Sequence, residues 1–390
     1  MKFKIVYVIF SLLLIYNNCV SQKKNYKSIP ASYKKEYVKT TVPTDVLERS
    51  VNVNKYLPNK FVKDGNTDYT RFLQKALNEN EVVLIPKGVF YTTGLKMRSN
   101  STLIFENGAE LRMIPNNRER YEILSITGVE NITLYNPKLK GDLRERKELK
   151  GEWGFGIDIR GSKNVKVYSP YVTDCLGDGI VISRSSKGVN DTNLKLFDTS
   201  NILIENAFID YMGRNGISII GVDGLKILSP IIINVFKRSP MSAIDIEPDN
   251  SSYELNNILI ESPFTFNNTD GIMVNLRNFI SSKLKTSNIV INSHTDVEST
   301  YPLNIPSLRH NKSHKSIKGK LVVNNPVWIN PDQSMVRGES HNLSHQIEIN
   351  NPTLVGMKLK SWKGKRLEGL SESEKLMIHI KDKNNFSIRK

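Results

Sequence analysis

The chain has 390 residues, 39% hydrophobic and 24% charged, with a formal net charge of +16 and two cysteines. That length can bury a core of its own, and so few cysteines, one of them inside an apolar leader, exclude an intramolecular disulfide framework. The positive balance suits an anionic partner, acidic polysaccharide or nucleic acid, and does not choose between them.

Lys2 and Lys4 precede an almost wholly apolar run from Ile5 to Ile15, followed by Cys19-Val20-Ser21. A charged start, an apolar middle and a small-residue end predict a secretory signal peptide over 1–21, cleaved after Ser21. The run is short for a membrane span. A lipidated Cys19 is the alternative, although Asn17 and Asn18 are poor neighbours for that processing. Loss of Lys2 and Lys4 takes the formal charge from +16 to +14 and leaves Cys175 in the mature chain. No later stretch is apolar for long enough to form a membrane helix, so the mature chain is expected to be secreted or periplasmic.

Residues 22–60 show no clear periodicity and read as a loosely ordered lead-in. Phe72, Leu73, Ala76 and Leu77 then share one helical face, with Thr67 or Asp68 placed to cap its start. Glu81-Val-Val-Leu-Ile-Pro86 reads as a short buried strand closed by Pro86-Lys-Gly88.

From there a repeat takes over. Asn131-Ile-Thr-Leu-Tyr-Asn-Pro137 recurs as Asn164-Val-Lys-Val-Tyr-Ser-Pro170, Asn201-Ile-Leu-Ile-Glu-Asn206, Gly224-Leu-Lys-Ile-Leu-Ser-Pro230 and Asn257-Ile-Leu-Ile-Glu-Ser-Pro263, with further copies from Asn288, Lys320 and Gln346. A second strand lies between the copies: Gly156-Ile-Asp-Ile-Arg160, Gly179-Ile-Val-Ile-Ser183, Gly216-Ile-Ser-Ile-Ile220, Ala243-Ile-Asp-Ile-Glu247 and Gly271-Ile-Met-Val-Asn275. The spacing of about two to three dozen residues is one solenoid turn. An all-β architecture follows, a single-stranded parallel β-helix over 61–360 with a short N-terminal capping helix. Leucine-rich repeats are excluded by the irregular spacing and the missing leucine pattern. Rungs are expected to about Met357, with 361–390 as a C-terminal cap or tail in which Ser371–Ile380 forms a helix or strand.

The run from Asp64 through the helix to Ile85-Pro86-Lys-Gly88 resembles the opening segment of the pectin-lyase-like right-handed parallel β-helix proteins. Leu176-Gly-Asp-Gly-Ile-Val-Ile182, Asn201-Ile-Leu-Ile-Glu-Asn206 and Arg214-Asn-Gly-Ile-Ser-Ile219 resemble, in order, the core motifs of polygalacturonases, glycoside hydrolase family 28. The resemblance covers about residues 60–280. It implies three aspartates, a histidine and an Arg-x-Lys pair, and the chain departs from that set. Phe155 stands at the first aspartate, Gly177 and Asp178 at the adjacent pair, and Asn215 at the histidine. Asp245 and Glu247 fall where the Arg-x-Lys pair would be, so the charge there is reversed. Asn268-Thr-Asp270 looks like the first motif but sits too late in the order.

Aligning the strands on the glycine before each apolar pair places Phe155, Asp178, Asn215, Ser242 and Asp270 in one outward row. Asp158, Val181, Ser218, Asp245 and Met273 make the next, and Arg160, Ser183, Ile220, Glu247 and Asn275 the third. Residues two apart on a strand have α-carbons about 6.6 Å apart. Carboxyls roughly 6.5–9.5 Å apart suit inverting glycoside hydrolysis, one giving a proton and the other activating water. Iota-carrageenases, also right-handed β-helices, similarly carry two acids on alternate residues of one strand. Asp245, Glu247, Asp178 and Asp270 are therefore the catalytic candidates, with Asp178 or Asp270 raising a neighbour's pKa by like-charge repulsion. Arg160, Arg184, Lys237, Arg238 and Arg277 flank them as candidates to grip sulfate or carboxylate groups. Asn215 and Trp153 complete the substrate-binding set, and Tyr253 is a second ring that could stack on a sugar. The plainer account makes the acids solvated strand residues, Asp178 and Asp270 turn formers, and the cations ordinary surface charges.

Other chemistry has little support. All six histidines lie at His294 or beyond, and zinc-like Cys/His spacing, a phosphate-binding glycine loop and a serine elbow are absent from the sequence. No cofactor is called for. Calcium has hard oxygen ligands in Asp178, Asp245 and Asp270, though no spacing demands it, and no metal is expected. The leading expectation is a monomeric secreted glycoside hydrolase with a polysaccharide partner, anionic or not, and no nucleic acid. The alternatives are a polysaccharide lyase or uronate epimerase, with an Arg or Lys as base, and a non-catalytic glycan-binding β-helix.

Overall fold

The computed structural model describes residues 24–59, 64–146, 148, 150–185, 198–306, 308, 312–333, 335–338, 345–356, 378–381 and 388–389. The signal peptide expected over 1–21 and most of the tail over 361–390 lie outside them. Almost every described element is a strand, and the strands form parallel sheets of twelve, twelve and nine. From Val82 to Gly338 each circuit of the chain adds one strand to each sheet. One circuit, for example, lays down Lys163–Tyr168, Tyr171–Thr173 and Ile180–Ser183, and the next lays Ser200–Glu205, Phe208–Asp210 and Ile217–Ile219 beside them. This is a right-handed parallel β-helix. Thr70–Glu79 is its N-terminal helix, with Leu73, Ala76 and Leu77 buried. Asp68 Oδ1 accepts from the Thr70 amide at 2.9 Å.

The third sheet carries the register read from the glycines. Ile157, Ile180, Ile217, Ile244 and Ile272 are successive partners, as are Ile159, Ile182, Ile219, Ile246 and Val274. All ten are buried at 1% exposure or less. The glycines are there for space. A Cβ on Gly216 would stand 2.4 Å from the Ala243 carbonyl and 2.4 Å from Ile232, and one on Gly156 would stand 2.5 Å from Val172. The interior is pinched between the second and third sheets at that row, and large side chains from the second sheet occupy it.

Asparagine opens many copies because the corner into the first sheet is left-handed. Asn100, Asn131, Asn164 and Asn201 have φ between 55° and 58°, a region this residue tolerates well. Their amides stack, each donating to the previous one's carbonyl oxygen at 2.7, 3.0 and 2.7 Å. Each corner thus satisfies the next.

The lead-in is not loose. Residues 24–40 run as a strap across the outer face of the second sheet, against the order of the rungs. Asn267 donates to the Asn25 carbonyl, and Asn234 bonds both backbone groups of Lys27. Asn136 does the same for Thr40. Ile29 and Tyr33 pack on Ile231, Ile233, Phe264, Phe266, Val297 and Ile329, an apolar patch that would otherwise face water. At the far end Ile378–Lys381 pairs parallel with Gln346–Asn350, one rung beyond the expected last copy.

Candidate functional site

The outward face of the third sheet gathers carboxyls on four of five consecutive strands: Asp158, then Asp178 just ahead of Ile180–Ser183, then, past the acid-free strand Ile217–Ile219, Asp245 and Asp270. Each is exposed by 3% or less. Glu247, half-buried, follows Ser242–Ile246 and continues its ladder by donating to the Ile219 carbonyl at 3.1 Å.

A hydrogen-bond chain ties three rungs together. Ser218 Oγ donates to Asp178 Oδ2 at 2.8 Å, and the Asn215 amide N–H to Asp178 Oδ1 at 3.1 Å. Asn215 Nδ2 reaches Asp245 Oδ2 at 2.9 Å and Ser218 Oγ at 3.1 Å, while Asn215 Oδ1 accepts from the Ser242 N–H at 3.0 Å. Asn215 is fully buried. The side chain expected to contact substrate thus spends both donors and one acceptor site within the protein. Asn275 donates to Glu247 and Asn304 to Asp270, the latter at 2.8 Å.

Burial works against charge throughout this face. It raises the Asp178 carboxyl, opposed by the Arg214 guanidinium and by the Ser218 and Asn215 hydrogen bonds. Burial, followed by the charges of Glu247 and Asp178, pushes Asp245 well above the ordinary carboxylate range. Glu247 is raised by burial and pulled back by Arg214 and Arg277. Burial takes Asp270 to about 6 against its Asn304 bond. Asp245 and Glu247 act as one titrating pair, and the proton belongs on the more buried Asp245. Asp245 Oδ1 is buried without a hydrogen-bond partner. Among the described residues no three His, Cys, Asp or Glu side chains are placed to hold one metal ion, and Asp178, Asp245 and Asp270 do not make such a group.

Three solved structures share the architecture. The N-terminal fragment of bacteriophage phi29 gene product 12 superposes with a TM-score of 0.56 at 19% identity, over 78% of this chain and 57% of that one. An iota-carrageenase complexed to iota-carrageenan fragments gives 0.55 at 12%, over 78% and 77%. The family 28 exopolygalacturonase of Yersinia enterocolitica gives 0.53 at 14%, over 79% and 72%. The shared fold is the right-handed parallel β-helix. At these identities the likeness is one of fold, and it is a fold that polysaccharide-cleaving enzymes use. No family model matches the chain. Two Bacillus subtilis proteins match part of it: uncharacterized protein YclG at 27% identity over 213 residues, and the SPbeta prophage-derived uncharacterized protein YorA at 26% over 171. The matches cover 47% and 38% of this chain but only 36% and 29% of those proteins, so the chain spans about a third of their length.

Around this face the flanking cations divide. Arg160 is neutralised by Asp158 at 2.8 Å and lies over the Phe155 ring. Arg184 pairs with Asp198 at 3.1 Å near the Tyr253 ring. Arg277 donates to Asn275 Oδ1 at 3.1 Å, backing the partner of Glu247. Trp153 is 38% exposed beside Arg120, at the edge of the same face. Lys237 and Arg238 sit on the loop before Ser242–Ile246 and line a cleft with Arg144 and Tyr211. Arg214 was missed by the sequence reading. Its guanidinium lies 3.9 Å from Asp178 and faces the charges of Asp178, Asp245 and Glu247. The available signal was its place next to Asn215, one residue outside the outward row.

Proposed function

We propose that the protein is an exported glycoside hydrolase that cleaves a polysaccharide laid across the outer face of the third sheet. Asp245 serves as proton donor and Glu247 as the carboxylate that activates water. The observation that carries this reading is the contrast within the pair. Asp245 is buried, kept protonated by burial and by the charges of Glu247 and Asp178, and one of its oxygens has no partner in the chain. It has a proton to give and no protein acceptor for it. Glu247 is half-buried, its carboxyl raised less strongly than that of Asp245 because Arg214 and Arg277 oppose the effect of burial, and it is open enough to keep a water. Two acids whose surroundings separate their protonation states are what acid–base cleavage of a glycosidic bond requires. Strand geometry sets their spacing near the inverting range without help from a loop. Asp178 and Asp270 raise the local negative potential, and Asn215 and Ser218 hold the frame. Export on the leader over 1–21 would bring the enzyme to its polymer.

The test is a screen of the mature protein against neutral, uronate and sulfated polysaccharides, reading new reducing ends and ultraviolet absorbance together. Reducing ends without absorbance are expected, falling by roughly 10²–10⁴-fold in Asp245→Asn and in Glu247→Gln with circular dichroism unchanged. Absorbance from an unsaturated uronate would replace the hydrolase with a lyase. Turnover that survives both substitutions would remove the pair from catalysis.

A further inference from the structure

The strap across the second sheet reaches toward the acidic face through one side chain. Tyr26 lies near its start, between Asn25, held by Asn267, and Lys27, held at both backbone groups by Asn234. The Tyr26 hydroxyl donates to Asp210 Oδ2 at 2.8 Å, and Asn234 Nδ2 donates to Asp210 Oδ1 at 2.9 Å. Its ring meets that of Tyr211 edge-on, with centres 5.7 Å apart. The Arg144 guanidinium lies 5.4 Å from the Tyr26 ring centre and 3.9 Å from that of Tyr211. Arg144 is itself ion-paired with Asp174 at 2.9 Å and faces the charge of Asp210. Lys237 and Phe236 also adjoin the Tyr211 ring, at 4.9 and 6.2 Å.

Tyr211 needs such a box. On the corner that leaves the second sheet, Asp174, Tyr211, Asn234 and Asn267 follow one another on successive rungs with φ between 55° and 63°. Asp and Asn accept left-handed backbone because a short polar side chain can bond locally, whereas a large ring gains nothing there. A residue strained in this way persists where its surroundings impose the conformation. For Tyr211 those surroundings include the strap.

The turn that follows carries the site. Gly213 donates its N–H to the Cys175 carbonyl at 2.9 Å, and Arg214 to the Gly177 carbonyl at 3.0 Å. Gly213 also passes the Leu176 carbonyl too closely for any side chain. Three and four residues beyond Tyr211, Arg214 and Asn215 meet Asp178, the guanidinium at 3.9 Å and the backbone N–H at 3.1 Å. The Asn215 side chain then bonds Asp245 at 2.9 Å. A short turn packed this tightly passes the placement of Tyr211 on to both groups.

We propose that Tyr26 is a positioning residue of the candidate site, holding Tyr211 in its left-handed turn so that Arg214 and Asn215 meet Asp178 and Asp245. The inference rests on the reading of that face as a hydrolase site. Tyr26 stands over the second sheet and acts on the acids through Tyr211. The strap is then part of the working geometry as well as a cover for the apolar patch.

Hydrogen exchange and kinetics on the full mature chain test this. Tyr26 is 49% exposed, so its loss spares the core. Tyr26→Ala should speed amide exchange in a peptide covering 211–216 by about tenfold or more, while a first-sheet peptide covering 224–228 keeps the parent rate. On a polysaccharide that the parent cleaves, kcat/KM should fall about 10- to 100-fold. That loss should be less than additive with the loss from Arg214→Gln, because both act through one guanidinium. Tyr26→Phe, which keeps the ring against Tyr211, should retain exchange and kcat/KM within about twofold. Exchange that rises equally in both peptides, or in neither, would overturn the proposal and leave the strap a cover. Faster exchange confined to 211–216 in a chain that cleaves no polysaccharide would keep Tyr26 as the holder of the turn and remove the hydrolase. Turnover unchanged by Tyr26→Ala would do the reverse.

Discussion

Replacing Asp270 with Asn should stabilise the fold at pH 8 and not at pH 4. Asp270 is 3% exposed, and burial lifts its carboxyl from 3.8 to about 6 against a 2.8 Å hydrogen bond from Asn304. The sign follows from proton linkage. A raised carboxyl pKa means the folded state holds the proton more tightly than the unfolded chain. Stability from this group is therefore complete below pH 4, falls as pH rises toward 6, and stays low above it. A rise of about two pKa units corresponds to about 3 kcal/mol at 1.36 kcal/mol per unit. Asn keeps an oxygen for Asn304 but brings an amide whose donors need partners, at about 1–3 kcal/mol if they find none. That cost is the same at both pH values and cancels in the comparison. The stability change on substitution should thus be about 3 kcal/mol more favourable at pH 8 than at pH 4. Urea unfolding, followed by far-ultraviolet circular dichroism, measures it. Equal changes at the two pH values would refute the claim that Asp270 is buried at a titration cost.

Arg214→Gln removes the cation that most lowers Glu247 and that also lowers Asp178. Without it the carboxylate pKa values rise, so the acidic limb of kcat/KM against pH should move upward, while a purely structural Arg214 would lower activity equally at all pH values. Gly216→Ala should cost about 1–3 kcal/mol or more, seen as a lower urea midpoint, because its Cβ meets the Ala243 carbonyl at 2.4 Å. A midpoint within 0.5 kcal/mol of the parent would mean that the pinch between the sheets gives way easily.

The rungs were legible because their cause is local and repeated. Inward isoleucines two apart, a glycine where the sheets approach, and an asparagine at each left-handed corner all recur at the solenoid period. The alignment they define places Asp178, Asn215 and Asp245 as the structure does. The strap over 24–40 was hidden because nothing within it is periodic. Asn25, Lys27 and Thr40 bond through their backbones to side chains of Asn267, Asn234 and Asn136, about 100 to 240 residues away. The depth of Asp245 was hidden for a related reason. Its outward position on a strand predicts exposure, yet it is 2% exposed, with the Asn215 side chain bonded to it at 2.9 Å.

That burial changes what the row of acids can be. Outward carboxylates in water would repel one another weakly and titrate near their ordinary values. Buried, Asp178, Asp245 and Asp270 all rise above them, with Arg214 moderating the rise at Asp178 and Asp245 and Arg337 at Asp270. A structural surface has no use for that arrangement, since Asn or Ser at the same positions would spare the fold the titration cost that Asp270 makes measurable. Neutral residues already fill part of this face, with the side chains of Asn215, Ser218 and Asn304 supplying the hydrogen bonds. The chain has therefore placed amides and hydroxyls where support is needed and acids where they cost stability. That division argues for protonation, not packing, as the reason the acids are there.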